Sequence, residues 1–156
     1  VAMGSEISGG IRNVTIRSCL MDNENWSPLR FKSQPSRGGT VENITFEDIT
    51  IKGARSIFDI NMEWRMVPPL SPAHYPLTCL RNIHFKNING EAQSAGTMYG
   101  FKEAPFGNDT FFFENCHIKA QKGLSISNVA NVNFKGLELE IKEGEKIYER
   151  SANKDK

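Results

Sequence analysis

No stretch of this sequence holds about 18 consecutive apolar residues, so no membrane-crossing helix is expected. Neither charge sign is in excess: 19 Lys and Arg face 18 Asp and Glu, for a net charge of +1. That gives no electrostatic case for nucleic acid. Cysteines number only three, and the odd count argues against a closed disulfide framework. No Cys-x-x-Cys spacing offers a metal or redox pair. The first residues, Val1-Ala2-Met3-Gly4-Ser5-Glu6, lack the basic and apolar regions of a signal peptide and any initiating Met. The chain is expected to be part of something longer. Helical periodicity is weak, and only Ile141 to Arg150 is ambiguous. What remains is a chain of 156 residues, 38% hydrophobic and 24% charged, which fits a folded domain rather than a disordered tail.

One pattern recurs five times. Asn13-Val14-Thr15-Ile16 precedes Cys19, Asn43-Ile44-Thr45-Phe46 precedes Ile49, and Asn82-Ile83-His84-Phe85 precedes Ile88. Thr110-Phe111-Phe112-Phe113 precedes Cys116, and Asn131-Val132-Asn133-Phe134 precedes Leu137. Copies start roughly 20 to 40 residues apart, a spacing that signals a solenoid. Apolar residues sit two apart within each copy, as on one face of a strand. Polar Thr15, Thr45, His84 and Asn133 lie between them and should face solvent. A second apolar pair follows out of phase (Ile49 and Ile51, Cys116 and Ile118, Leu137 and Leu139), so a bend should separate two short strands.

Another recurring element reads Leu29-Arg30-Phe31-Lys32, then Ser56 to Ile60, Thr97 to Phe101, and Leu124 to Ile126. Three short strands per period describe an all-β, right-handed, single-stranded parallel β-helix of about five coils. The coils should span residues 1–142. Residues 143–156 read as a polar tail that frays. Asn at the head of four copies suits a turn, and stacked turns would align these residues as a ladder. Asn13 and Asn43 also start Asn-x-Thr sequons, as Asn108 does, and Asn25 starts an Asn-x-Ser one. The repeat accounts for Asn13 and Asn43 without glycosylation. Cys19 and Cys116 share one repeat position with Ile49, Ile88 and Leu137, which reads as a core position. The interval from Asn61 to Leu80, with Pro68-Pro69, Pro72 and Pro76 around Trp64, His74 and Tyr75, should leave the wall as a loop.

Arg30 and Lys32 lie two apart, so both should point outward while Leu29 and Phe31 point inward. A guanidinium fork beside an ammonium suits a carboxylate-bearing ligand. From this tetrapeptide alone, two ordinary surface charges are the plainer reading.

Three segments change that weighting. Gly4-Ser5-Glu6-Ile7-Ser8-Gly9-Gly10-Ile11-Arg12-Asn13-Val14, then Arg30-Phe31-Lys32, then Gly38-Gly39-x-Val41-x-Asn43-Ile44 closely resemble glycoside hydrolase family 28, the polygalacturonases and related pectinases. The resemblance runs from about Gly4 to Leu139, in order. It implies the same β-helix, inverting hydrolysis of α-linked galacturonate in pectin, and a secreted or periplasmic parent. It implies no metal and no cofactor. The family's Arg-Ile-Lys segment holds the substrate carboxylate, and Arg30 and Lys32 match it, with Phe31 in place of Ile. Trp64 matches an aromatic that lies near the sugar, although a Trp covering the core under the loop fits the residues equally well.

The family's catalytic aspartates lie in an Asn-Thr-Asp segment and an Asp-Asp pair, with a supporting Gly-His-Gly. None occurs in this sequence, and all should precede Gly4. The resemblance thus implies that coils 1–142 are the C-terminal part of a larger catalytic domain, truncated on its N-terminal side, with no catalytic residue assigned within this chain, which alone should be inactive. Glu6, Asp59 and Glu63 are its nearest carboxylates, and surface or loop roles are expected for the last two. One carboxylate cannot act as both acid and base in an inverting step. His74, His84 and His117 show no nucleophile partner and read as solvated. The alternatives are a non-catalytic β-helix module that binds acidic polysaccharide, a pectate lyase, whose calcium-binding acidic cluster is not visible here, and a structural fibre segment. An exposed N-terminal coil should favour self-association.

Overall fold

The structure is a computed structural model and describes residues 1–22, 24, 26–65, 68, 72 and 75–150. Asn25, Pro69, His74 and the segment 151–156, each singled out above, lie outside the described residues. The described residues form eight strands and no helix: β1 (Ala2–Met3), β2 (Ile11–Asp22), β3 (Leu29–Lys32), β4 (Thr40–Asn61), β5 (Cys79–Tyr99), β6 (Phe111–Glu114), β7 (Cys116–Ser127) and β8 (Leu137–Glu149). Every ladder is parallel. Strand order is β1-β3-β4-β5-β7-β8, with β2 on β4 and β6 on β5. This is a parallel β-helix, and equivalent residues recur 30, 39 and 28 positions apart.

The long strands bend where the backbone enters left-handed geometry. In β4 these corners are Asn43, Asp48 and Gly53, with φ of 56°, 54° and 64°. Asn13 and Asn82 occupy the first corner in neighbouring coils, and Ser18, Asn87 and Asn115 the second. A left-handed residue costs about 1–2 kcal/mol unless its short polar side chain can bond locally. Here the bonds run from coil to coil. Asn43 Nδ2 donates to Asn13 Oδ1 (2.9 Å), and Asn82 Nδ2 to Asn43 Oδ1 (2.7 Å). At the second corner Asn87 donates to Asp48 (2.9 Å) and Asn115 to Asn87 (2.8 Å). The ladder expected at Asn13, Asn43 and Asn82 is present, and a second one stands beside it. A glycan on Asn43 would attach to the nitrogen that holds Asn13.

Between corners the apolar positions stack. Phe46, Phe85 and Phe113 form a column with ring centroids 5.5 and 5.3 Å apart, and Phe134 extends it at 5.7 Å. Phe31 and Phe58 meet this column edge-on. Cys19, Ile49, Ile88 and Cys116 share one column, and burial pushes the Cys116 thiol's pKa up. The three cysteines are free thiols.

Two expectations need correction. Asn131–Phe134 is not a strand. Asn133 Oδ1 accepts the Lys135 amide (2.9 Å), and Leu137 N–H reaches back to the Phe134 carbonyl (2.9 Å), so a side-chain turn replaces the ladder. The segment's Phe134 still packs in register. The boundary at 142/143 is also not where pairing ends. β8 continues to Glu149, with Lys122 opposite Glu143 and Leu124 opposite Ile147. A parallel neighbour satisfies backbone groups whatever the polarity of the side chains, and half-buried Ile147 adds apolar contact.

The two ends differ. β8 presents charged Glu138, Glu140, Lys142 and Glu143, which blunt an edge. At the other end Val14, Ile16, Cys19 and Met21 are half-buried, whereas Ile44, Phe46, Ile49 and Ile51 in the same columns are buried. Charge is also laddered across coils. Glu42 accepts from Arg12 Nε and Arg81 Nε, both at 2.6 Å.

Two outcomes follow from the corners and the charge ladder. In urea denaturation, Asn43→Ala loses about 2 kcal/mol and Asn43→Gly about 1, because Gly keeps the left-handed corner and loses only the ladder bonds. Equal losses would mean that the corner geometry contributes nothing. The Arg12 and Arg81 hydrogen bonds hold the Glu42 carboxyl below its ordinary pKa. That contribution is complete above the ordinary carboxylate range and disappears as pH falls through the lowered value. The Tm deficit of Glu42→Gln is therefore full at neutral pH and closes in acid, and a deficit independent of pH would discount the charge ladder.

Candidate functional site

β3 is four residues long and alternates strictly. Leu29 and Phe31 are 0% and 1% exposed, while Arg30 and Lys32 are turned out and half-buried. β1 lies on one side, with Ala2 opposite Arg30, and β4 on the other, with Asp59 opposite Arg30 and Asn61 opposite Lys32. The Gly-rich segments hold this arrangement closed. Gly4 has φ +106°, and a Cβ there would sit 1.9 Å from the Lys32 carbonyl oxygen. Gly39, at φ +81°, crosses the Ile7 carbonyl equally closely. Only glycine permits both the conformation and the approach.

Arg30 Nε donates to Asp59 Oδ2 at 2.6 Å, and each side chain is only 18% exposed. Asp59, expected in a surface or loop role, thus fixes the guanidinium. One of five guanidinium N–H groups is used in this bond. Lys32 Nζ lies 4.9 Å from the Trp64 ring centroid, and Arg30 Cζ lies 5.6 Å from it. The ring centroid of Trp26, 60% exposed, lies 5.9 Å from Arg30 Cζ. Among the described residues no carboxylate lies within ion-pair distance of Lys32.

Trp64 is held by the backbone. Its N–H donates to the Ser33 carbonyl (2.8 Å), and Ser33 N–H donates to the Asn61 carbonyl (3.0 Å). Asn61 Oδ1 accepts the Glu63 amide (2.9 Å), and Met62, 1% exposed, anchors the turn in the core. Below it the buried Ser33 hydroxyl donates to Thr78 Oγ1, which donates on to the Gly38 carbonyl, each at 2.7 Å. Of the two readings left open for Trp64, its half-buried ring sits against both cations. Arg30, Lys32 and Trp64 thus come together, although 32 and 64 are a full coil apart in sequence.

The outward row continues beyond them. Arg30, Asp59, Thr97, Ser125 and Tyr148 stand on successive coils, and beside them Lys32, Asn61, Tyr99 and Ser127. Tyr99 Oη and Ser125 Oγ are 3.0 Å apart, and Arg150 Cζ lies 4.6 Å from the Tyr99 ring centroid. Tyr99, Ser125 and Arg150 escaped sequence reasoning because only the register across coils brings them together.

Glu6, His84 and His117 are engaged elsewhere. Glu6 meets Arg37 at 3.4 Å. His84 stacks on Phe112 (4.8 Å) and bonds Asn82 Oδ1 (2.7 Å), and burial, then Lys86, lower its pKa. His117 bonds Asn115 Oδ1 (3.0 Å) and meets Glu138 at 3.1 Å. His84 and His117 each cap an Asn ladder and belong to a different wall from the Arg30 row. Among the described residues no three His, Cys, Asp or Glu side chains gather as a metal site requires.

The Gly4 contact generates a local test. Gly4→Ala forces β1 away from β3, so the Arg30 amide, which bonds the Val1 carbonyl at 3.1 Å, exchanges with solvent faster while β7 amides keep their rates. Unchanged exchange at Arg30 would show that the close approach does not hold the strand.

A search of curated proteins returns no match to the chain. A family model described as Glycosyl hydrolases family 28 matches residues 1–138 of the 156. With that match covering the coils through β7, the glycine crossings and the Arg30–Lys32 strand, the chain belongs to glycosyl hydrolase family 28.

Proposed function

We propose that this chain supplies the carboxylate-binding side of a cleft for α-linked galacturonate in pectin, within a polygalacturonase-like enzyme that hydrolyses the bond with inversion. The observation that carries the reading is Lys32, an ammonium with no carboxylate partner among the described residues, held beside Arg30 over the Trp64 ring. In this reading Lys32 attracts the sugar carboxylate as a point charge. Arg30, oriented by Asp59, offers its remaining N–H groups to the same oxygens. The Trp64 face packs against the ring.

The acid and base come from sequence outside these 156 residues. Inversion needs two carboxyl groups roughly 6.5 to 9.5 Å apart, with water between them. The aspartate segments that do this work in the family are absent here, Asp59 is committed to Arg30, and Glu6 to Arg37. A polymeric cell-wall substrate also argues for a secreted or periplasmic parent.

The test is calorimetric titration with galacturonate oligomers, run alongside a reducing-sugar assay. Arg30→Gln and Lys32→Gln each weaken binding by about tenfold. Added salt weakens wild-type binding, and fully methyl-esterified oligomers bind less well. The 156-residue chain releases no reducing ends, and a chain carrying the family's aspartate segments does. Binding indifferent to both substitutions would overturn the cleft assignment, and hydrolysis by the chain alone would overturn the assignment of acid and base. A chain that binds, and stays silent even beside those segments, would be the non-catalytic acidic-polysaccharide module.

A further inference from the structure

Strand β4 ends at Asn61 and β5 begins at Cys79, and the interval between them is tied at both ends to one residue. That residue is Ser33, which follows Lys32 directly and is 0% exposed. At the outgoing end its N–H donates to the Asn61 carbonyl (3.0 Å), and its carbonyl accepts the Trp64 N–H (2.8 Å). At the returning end its hydroxyl bonds Thr78 Oγ1 (2.7 Å), and buried Thr78 donates to the Gly38 carbonyl (2.7 Å). Each hydroxyl has one proton, so Ser33 gives to Thr78 and Thr78 gives to Gly38. The next amide, Cys79 N–H, donates to the Gly39 carbonyl (3.0 Å), so the chain re-enters the wall in register.

We infer that Ser33 and Thr78 are positioning residues, whose buried hydroxyl relay holds Trp64 against Lys32 and Arg30. The inference rests on the reading of the Arg30, Lys32 and Trp64 cleft given above. The Trp64 ring is half-buried, with Lys32 Nζ 4.9 Å and Arg30 Cζ 5.6 Å from its centroid. Its place over the two cations depends on where the Ser33 carbonyl points. Serine has too little bulk to be fixed by packing, so the direction must come from its hydrogen bonds. The Thr78 bond supplies it from behind, on the side away from Trp64. A fully satisfied buried polar network selects one arrangement of the atoms around it. Apolar groups of the same shape would fill the space and select no direction.

A relay that only satisfies the buried Gly38 carbonyl makes a different prediction. Its loss would lower stability and leave sugar binding alone.

The experiment is calorimetric titration of the full chain with a galacturonate octasaccharide. Trp64→Ala weakens binding by about tenfold, and Thr78→Val and Ser33→Ala by about fivefold. Thr78→Ser keeps the hydroxyl and binds as wild type does. Ser33→Ala leaves the Thr78 bond to Gly38 in place, so it tests the relay even where Thr78→Val fails to fold. In a Trp64→Ala background neither substitution weakens binding further, because the residue they act through is gone. The ring also reports directly. The chain has two tryptophans, so Trp26→Phe leaves Trp64 as the single indole. Its emission then shifts to the red in Ser33→Ala and Thr78→Val, and not in Thr78→Ser. If Ser33→Ala and Thr78→Val bind as wild type does while Trp64→Ala does not, the relay is overturned and the cleft stands. An undiminished further loss in the Trp64→Ala background assigns the two hydroxyls to the fold and overturns the relay as well. If Trp64→Ala binds as wild type does, the cleft reading of Trp64 fails and this inference fails with it.

Discussion

Everything in this molecule depends on the backbone turning at the same point in every coil. The turn is made by residues in left-handed geometry, and at most of these corners they are not glycine. Asn and Asp carry the cost because their side chains bond the equivalent residue one coil away. The corners then fix the register, and the register fixes which side chains face inward. A slip of one residue would put Arg30 and Lys32 in the core and Phe31 in solvent. The phenylalanine column and the outward row that begins at Arg30 are both consequences of corners that stack.

Much of this was legible in the sequence. Apolar residues two apart, with Asn at the head, describe a strand and its corner, and Asn13, Asn43 and Asn82 behave accordingly. The second bend was visible as a change of phase. Its residues were not, because Ser18, Asp48, Asn87 and Asn115 share a conformation rather than an identity. Asn131 had the right neighbours, yet Asn133 offers the backbone a local partner that outcompetes the ladder. The segment after Lys142 had the opposite character. Its side chains are polar, but β7 supplies a full row of backbone partners, and local polarity gives no hint of that.

The site divides along the same line. Arg30 and Lys32 face the same way because they are two apart on one strand, a fact contained in four residues. Trp64 required the family resemblance, and its position depends on one hydrogen bond to Ser33. Asp59 required pairing across a coil. The further apart in sequence the partners lie, the less any local pattern can say of them.

The charges around β3 are not equivalent, and their difference bears on recognition. Arg30 and Asp59 form a pair of near-zero net charge, each only 18% exposed, so the guanidinium is oriented but its long-range attraction is largely cancelled. Lys32 has an aromatic floor and, among the described residues, no carboxylate partner. In the proposed cleft, attraction of an anionic sugar therefore falls to Lys32, and directional bonding to Arg30. Neither residue could do both. An unpaired guanidinium on an exposed strand would sample many rotamers, and a lysine with a carboxylate partner would have little field left for a ligand. A solenoid suits this division, because β3 supplies both cations while the next coil supplies the carboxylate that steadies one and the ring that supports both. Each contribution is held at strand spacing by a backbone whose corners are already fixed.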